Sequence, residues 1–461
     1  MTSLAPVLAT LDENLDASLQ RLNDLIRIPS ISTDPAYAAE CRRAAEWLVA
    51  DLKSIGFEAS VRDTAGHPMV VAHHDGPAGI PHVLFYGHYD VQPVDPLDLW
   101  EADPFAPALK EIEPGRKVIT GRGSSDDKGQ LMTFVEACRA YKAAHGALPC
   151  KVSILFEGEE ESGSPSLKPF LEANAEELKA DFAMVCDTGM WDRETPAICV
   201  GLRGLVGEEI VVKAANRDLH SGEFGGAAAN PIRILSKVLA DLHDDTGRVT
   251  IPGFYEGVEE TPSQILKSWE TLDETAESFL GEIGLSIPSG EKGRSVLELV
   301  WARPTAEVNG ITGGYTGKGF KTVIPAEASA KVSFRLVHKQ DPAKIRDAFR
   351  AFVRERIPAD CSVEFHPHGG SPAIQLSYDS PFLSKAQEAL TDEWQKPAVT
   401  IAMGGSIPIV GDFQNYLGME SLLVGFALPD DRIHSPNEKY DLSSFHKGQR
   451  SWARILHALT R

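Results

Sequence analysis

GQLMTFVEACRAYKAAHGALPCKVSILFEGEEESGS, residues 129–164, runs through an amphipathic helical pattern, a turn and an apolar strand without interruption. The strand, Val152 to Phe156, is apolar except at Ser153 and does not alternate, the pattern of a strand covered on both faces. Similar short runs lie on either side of it: Met69 to Ala72 and Val83 to Tyr86 upstream, Phe182 to Cys186 and Leu422 to Phe426 downstream. Strands alternating with helices predict an α/β domain with a mostly parallel sheet. The first fifty residues read as helix, with Leu19, Leu22 and Leu25 near helical spacing and AECRRAAEWLVADLKSIG stopping at Gly56.

Between residues 205 and 377 the order becomes β-α-β-β-α-β. Val206 to Lys213 reads as a strand, Pro231 to His243 as a helix, Lys321 to Pro325 and Ala330 to Val337 as strands, Pro342 to Ile357 as a helix, and Ser362 to His366 as a strand. That is a split-βαβ, ferredoxin-like α+β sandwich. It predicts a domain over 205–377 inserted within a first domain formed by 1–204 and 378–461. The stretch from Arg248 to Tyr315 is poorly patterned and reads as an elaboration of the insert. A chain of 461 residues is long for one hydrophobic core, which agrees with two domains.

With 66 acidic against 45 basic residues, the formal net charge of -21 disfavours nucleic acid and anionic membranes as partners. No run of about 18 apolar residues occurs. The six cysteines have no metal-type or disulfide-type spacing and read as reduced thiols, so a cytoplasmic location is expected.

Metal-type ligands stand at the ends of separate apolar runs. VLFYGHYDVQP puts His88 and Asp90 just past one strand, two residues apart, so that the carboxylate can orient the imidazole. GRGSSDDKGQ presents Asp126 and Asp127 at the entrance to a helix, where acids also serve simply to favour the dipole. KVSILFEGEEESGS ends a strand in Glu157, Glu159, Glu160 and Glu161, which repel one another unless cations or water compensate them. DFAMVCDTGMW leaves Asp187, and DDRIHSPNEKY leaves His434, after two more strands. Each alone reads as an ordinary turn or surface residue. Their recurrence at the ends of strands, where open α/β sheets bind ligands, favours a shared cation site. His73, His74, His366 and His368 lack accompanying carboxylates and read as solvent-exposed turn histidines.

At GHYDVQP, GRGSSDDKG, EEESGS, CDTGMW and IHSPNEK the sequence resembles the M20 metallopeptidases, in the family's order and over nearly the whole chain. DLHSGEFGG, FKTVIPAEA, VSFRLV and GGSIP resemble the branch containing carnosinase and the cytosolic nonspecific dipeptidases. The resemblance implies two divalent metal ions per subunit, zinc first and manganese or cobalt as substitutes. It implies His88 and Asp187 on one metal, Glu161 and His434 on the other, and Asp126 bridging both. Glu160 is then the general base for a water between the metals, Asp90 the clamp on His88, and the Asp126–Asp127 peptide cis. His220 is implied as an oxyanion donor reaching across a homodimer interface of the inserted domain. Arg335, with Thr322 and Ser406, is implied to grip the carboxylate of a small peptide substrate. The sequence departs from that branch at Ala402 and Met403, where it carries Arg-Glu, and at Asn309, where it carries histidine. The expected reaction is amide hydrolysis of dipeptides or short peptides. An N-acyl amino acid deacylase and a non-catalytic metal-binding scaffold are the rival readings.

Overall fold

A computed structural model describes residues 3–281, 283–404 and 408–461. The chain forms two compact units. The first comprises residues 1–200, 376–401 and 412–461, and the second residues 201–375 and 402–411. Residues 402–411 thus group with the second unit, although the sequence places them after the return to the first domain.

The first unit is built on a sheet that includes, in chain order, β1 (Glu58–Arg62), β2 (Met69–His74), β3 (Val83–His88), β4 (Val152–Glu157), β5 (Phe182–Val185), β6 (Ala197–Leu202) and β7 (Ser421–Leu423). Their spatial order is β1-β2-β4-β3-β5-β7-β6. The middle four, β4, β3, β5 and β7, are mutually parallel, while β1, β2 and β6 run antiparallel to their neighbours. β3 and β4 are buried along their whole length, as their unbroken apolar pattern requires. Because the four central strands point the same way, the residues just past each of them emerge along one edge of the sheet.

Helix Lys128–His145 packs against β3 and closes on Gly146, whose φ of 73° supplies the left-handed cap. Phe85 of β3 stacks on Phe134 at 3.8 Å between ring centroids, and Trp452 of helix Leu442–Ala458 meets both rings edge-on. Burying three such aromatic side chains anchors the entrance of the helix, and therefore the loop before it, to the sheet. That loop also curls tightly over the first helical turn: a Cβ on Gly129 would lie 1.9 Å from the Ser124 carbonyl oxygen.

The second unit is an antiparallel sheet in the order Thr305–Gly313, Glu327–Leu336, Gly204–Lys213, Ser362–Ser371. Helices Pro231–Ala240 and Pro342–Arg354 contribute Leu235, Val238, Phe349 and Phe352 to a core with Val206, Ile210 and Phe334. The β-α-β-β-α-β order is present, but its second strand is not the expected Lys321–Pro325. Only Val323 and Ile324 of that stretch are extended, and they pair with Leu219–His220 in a separate ribbon. The second strand is Thr305–Gly313, from the stretch read as unpatterned. It is an edge strand, largely exposed, with a bulge between Val308 and Gly310, so no apolar alternation marks it. His366 and His368 are exposed as expected, yet sit in a strand and not a turn. His73 and His74 end β2, where His73 lies against Ser153 and Glu177. No helix among the described residues is long and apolar enough to cross a membrane. None of the six cysteines is in a disulfide, and five of them are buried.

Candidate metal centre and substrate groups

The edge defined by the parallel strands brings the five sequence-selected ligand residues together. His88 is the last residue of β3, and its Nε2 lies 3.0 Å from Asp126 Oδ1 and 3.9 Å from Asp187 Oδ2. Asp187 follows β5 by two residues. On the other side of Asp126, His434 Nε2 lies 2.9 Å from Oδ2 and 3.1 Å from Glu161 Oε2. Two groups result, His88–Asp126–Asp187 and Asp126–Glu161–His434, in each of which one ligand atom per residue falls within 4.8 Å of the others. Asp126 belongs to both, one oxygen facing each imidazole.

The donor set suits divalent cations. Carboxylates and imidazoles without thiolate are ligands for zinc, manganese or cobalt, and a carboxylate shared between two groups is what a pair of cations requires. The electrostatics agree. Loss of solvation pushes the Asp187 pKa well above the usual carboxylate range, and the Asp126 charge adds to that push. Burial also raises Asp126, but hydrogen bonds with His434 and His88 bring it below its ordinary value. His434 rises to about 10 through its bonds to Asp126 and Glu161. Burial opposes charge on His88, and the bonds to Asp126 and Asp90 nevertheless raise its pKa well above the imidazole value.

Several neighbours hold the ligands in place. His88 Nδ1 lies 3.1 Å from the Asp90 main-chain oxygen and 3.4 Å from its Oδ1, which leaves Nε2 facing Asp126 and Asp187. The Asp90 carboxylate has a second task that its spacing from His88 does not reveal: it accepts the backbone N–H groups of Glu160 (3.3 Å) and Glu161 (3.0 Å), fixing the turn that carries both. Gln92 donates to Glu161 Oε2 at 2.7 Å. Glu438, fully buried, accepts the N–H groups of Gly123, Ser125 and Asp126 and the Arg122 guanidinium, at 2.8–3.0 Å. It thereby shapes the loop that presents Asp126. The Asp126–Asp127 peptide is cis, and Asp127 turns inward to accept the His88 N–H at 3.1 Å. His434 has φ 61°, a left-handed conformation uncommon for a residue with a side chain and often found at functional sites.

Of the four clustered glutamates, Glu157 and Glu159 point elsewhere. Glu157 accepts the Tyr86 hydroxyl at 2.7 Å, and burial pushes its pKa up to about 8. Glu159 accepts the N–H groups of His67 and Ser166. Glu160 belongs to neither ligand group, and its carboxylate makes no hydrogen bond to a described residue. Burial raises its pKa; His88 opposes that rise, and the charges of Glu161, Asp90 and Asp126 add to it.

A model of peptidase family M20/M25/M40 matches residues 84–458. The chain belongs to this family. Among its curated relatives is a Cys-Gly metallodipeptidase of Candida albicans, 30% identical over 98% of this chain and 97% of its own length. A human Beta-Ala-His dipeptidase is 29% identical over 80% of this chain and 73% of its own. Among solved structures, the family resemblance extends to a metallo-carboxypeptidase of Sulfolobus solfataricus with a TM-score of 0.78 at 30% identity, covering 96% of this chain and 99% of that one. The dipeptidase Dug1p of Saccharomyces cerevisiae superposes with a TM-score of 0.76 at 27% identity, covering 99% and 98%.

The residues selected for substrate contact lie in the second unit. His220 and Thr322 are exposed neighbours on the short ribbon: His220 pairs with Val323, and the Ser221 N–H donates to the Thr322 carbonyl at 3.1 Å. His220 Nδ1 accepts the Gly222 N–H at 3.0 Å, so Nε2 is the ring nitrogen left for another partner. Arg335 lies on strand Glu327–Leu336 opposite Thr305 and Leu205, and lines a cavity of about 780 Å³ together with Asn309. Ser406 falls outside the described residues.

Proposed function

We propose that the protein is a two-metal dipeptidase that hydrolyses the amide bond of dipeptides or short peptides. The carrying observation is the pair of ligand groups sharing Asp126, with the unliganded Glu160 directly beside Glu161 in the chain. His88 and Asp187 would hold one divalent cation, Glu161 and His434 the other, with Asp126 common to both groups. Cations bound there lower the pKa of a water and polarise the scissile carbonyl, with zinc the best fit to the donor set and manganese or cobalt workable. Glu160 would serve as the base that takes a proton from the attacking water and returns it to the leaving amine. Asp90 keeps the His88 ring oriented and the Glu160–Glu161 turn fixed. His220 donates its Nε2 hydrogen to the oxygen of the reacting carbonyl, and Arg335, with Thr322 and Ser406, binds the substrate carboxylate.

The relatives acting on Cys-Gly and Beta-Ala-His support a dipeptide substrate. Six cysteines outside any disulfide support residence in the reducing cytoplasm, and a homodimer through the second unit would supply His220 to the neighbouring subunit.

Amino acid release from a dipeptide panel and from an N-acetyl amino acid panel, before and after chelation and readdition of zinc, manganese or cobalt, tests the reading. Dipeptides are expected to be the better substrates, with activity lost on chelation and restored by metal. Faster cleavage of the acetyl series would make the protein a deacylase, and metal binding without turnover of either series would make it a scaffold.

A further inference from the structure

Three arginines line the cavity of the second unit, and they differ in how their charge is met. Arg303 is committed: its Nη2 lies 2.9 Å from Glu291, with Glu260 at 3.5 Å from Nη1. Arg203 and Arg335 form no ion pair with any described residue. The Arg203 guanidinium is half-buried and makes a single long bond, from Nε to the Gly404 carbonyl at 3.4 Å. It fits there because residue 404 has no side chain; a Cβ would stand 2.8 Å from Nη2. Burial first and the neighbouring Arg335 charge second push its pKa down to about 10, with Glu307 opposing. Two guanidiniums are therefore held near each other at a loss of solvation, in a cavity of ligand-binding size, where the Glu307 carboxylate on the lining offsets part of the cost but is paired with neither.

We propose that Arg203 is a second substrate-binding cation, acting with Arg335 to select molecules that end in a free carboxylate. The proposal rests on the reading of Arg335 given above. Two planar forks around one carboxylate offer more donors than one, and discriminate against an amide, which brings no charge and presents N–H groups to donors that cannot accept them.

Kinetics of the metal-loaded enzyme on Leu-Gly and on Leu-Gly amide test it, using Arg203→Met and Arg203→Lys. Arg203→Met is expected to raise KM for the free acid about 10- to 100-fold, the worth of a charge-assisted hydrogen bond, and to change cleavage of the amide less than about threefold. Arg203→Lys should retain part of the preference. Equal loss on both substrates, or an unchanged KM for the acid, overturns the proposal. Ligand-observed NMR of the metal-free protein with N-acetylglycine and N-acetylglycinamide gives a readout independent of turnover. Preference for the acid is expected in the wild type and lost in Arg203→Met and Arg335→Met alike. Loss in Arg335→Met alone overturns the role of Arg203 and leaves that of Arg335 standing. Loss in Arg203→Met alone removes Arg335 from the reading and supports Arg203, and a wild type without preference overturns both.

Discussion

Glu160→Gln is expected to lower the rate of dipeptide hydrolysis at least about a hundredfold, the usual worth of a general base, while two metal ions per chain remain bound. The amide keeps the size and shape of the carboxylate but cannot accept a proton. Glu160 lies outside both ligand groups, and the Asp90 carboxylate holds its turn through backbone N–H groups that the substitution leaves in place. Metal content should therefore be indifferent to the change. Elemental analysis alongside kinetics checks both halves. A full rate in the variant would remove Glu160 from the chemistry, and a fall in metal content would move it into the ligand set.

The second large effect concerns Asp126. Asp126→Ala removes the one residue common to both ligand groups and leaves each with two side chains, one imidazole and one carboxylate. Metal content is expected to fall from two ions per chain to well below one, and activity with it. His434→Ala touches a single group, so it should lose about one ion and keep the one held by His88, Asp126 and Asp187. The contrast between the two variants matters more than either value. Equal metal loss from both would mean that the groups act as one site, and full occupancy in Asp126→Ala would mean that it bridges nothing.

The first unit was legible because its central strands are buried on both faces and announce themselves as unbroken apolar runs. Once β3, β4, β5 and β7 are parallel, the residues that follow them must share an edge, which made His88, the Glu157–Glu161 run, Asp187 and His434 candidates together, while the choice of Glu161 within that run came from the family resemblance. Their partners were less visible. Glu438 lies in the same motif as His434, but its function is to gather N–H groups of a loop more than 300 residues earlier in the chain, which no local spacing encodes. The second role of Asp90 is hidden for the same reason. In the second unit, Thr305–Gly313 escaped because an exposed edge strand with a bulge has neither a covered face nor a regular alternation to display. Arg203 gave no sign at all: a lone arginine in GLRGLV resembles any strand-end cation, and only its place near Arg335 on the cavity lining, without an ion pair to a described residue, sets it apart.

Anomalous diffraction from crystals of the zinc-loaded protein, recorded on either side of the zinc edge, bears most directly on the metal centre. Two peaks are expected, one among His88, Asp126 and Asp187 and the other among Asp126, Glu161 and His434, with the Asp126 carboxylate between them. A single peak that omits either imidazole, or zinc bound away from these five residues, would contradict the two-metal account.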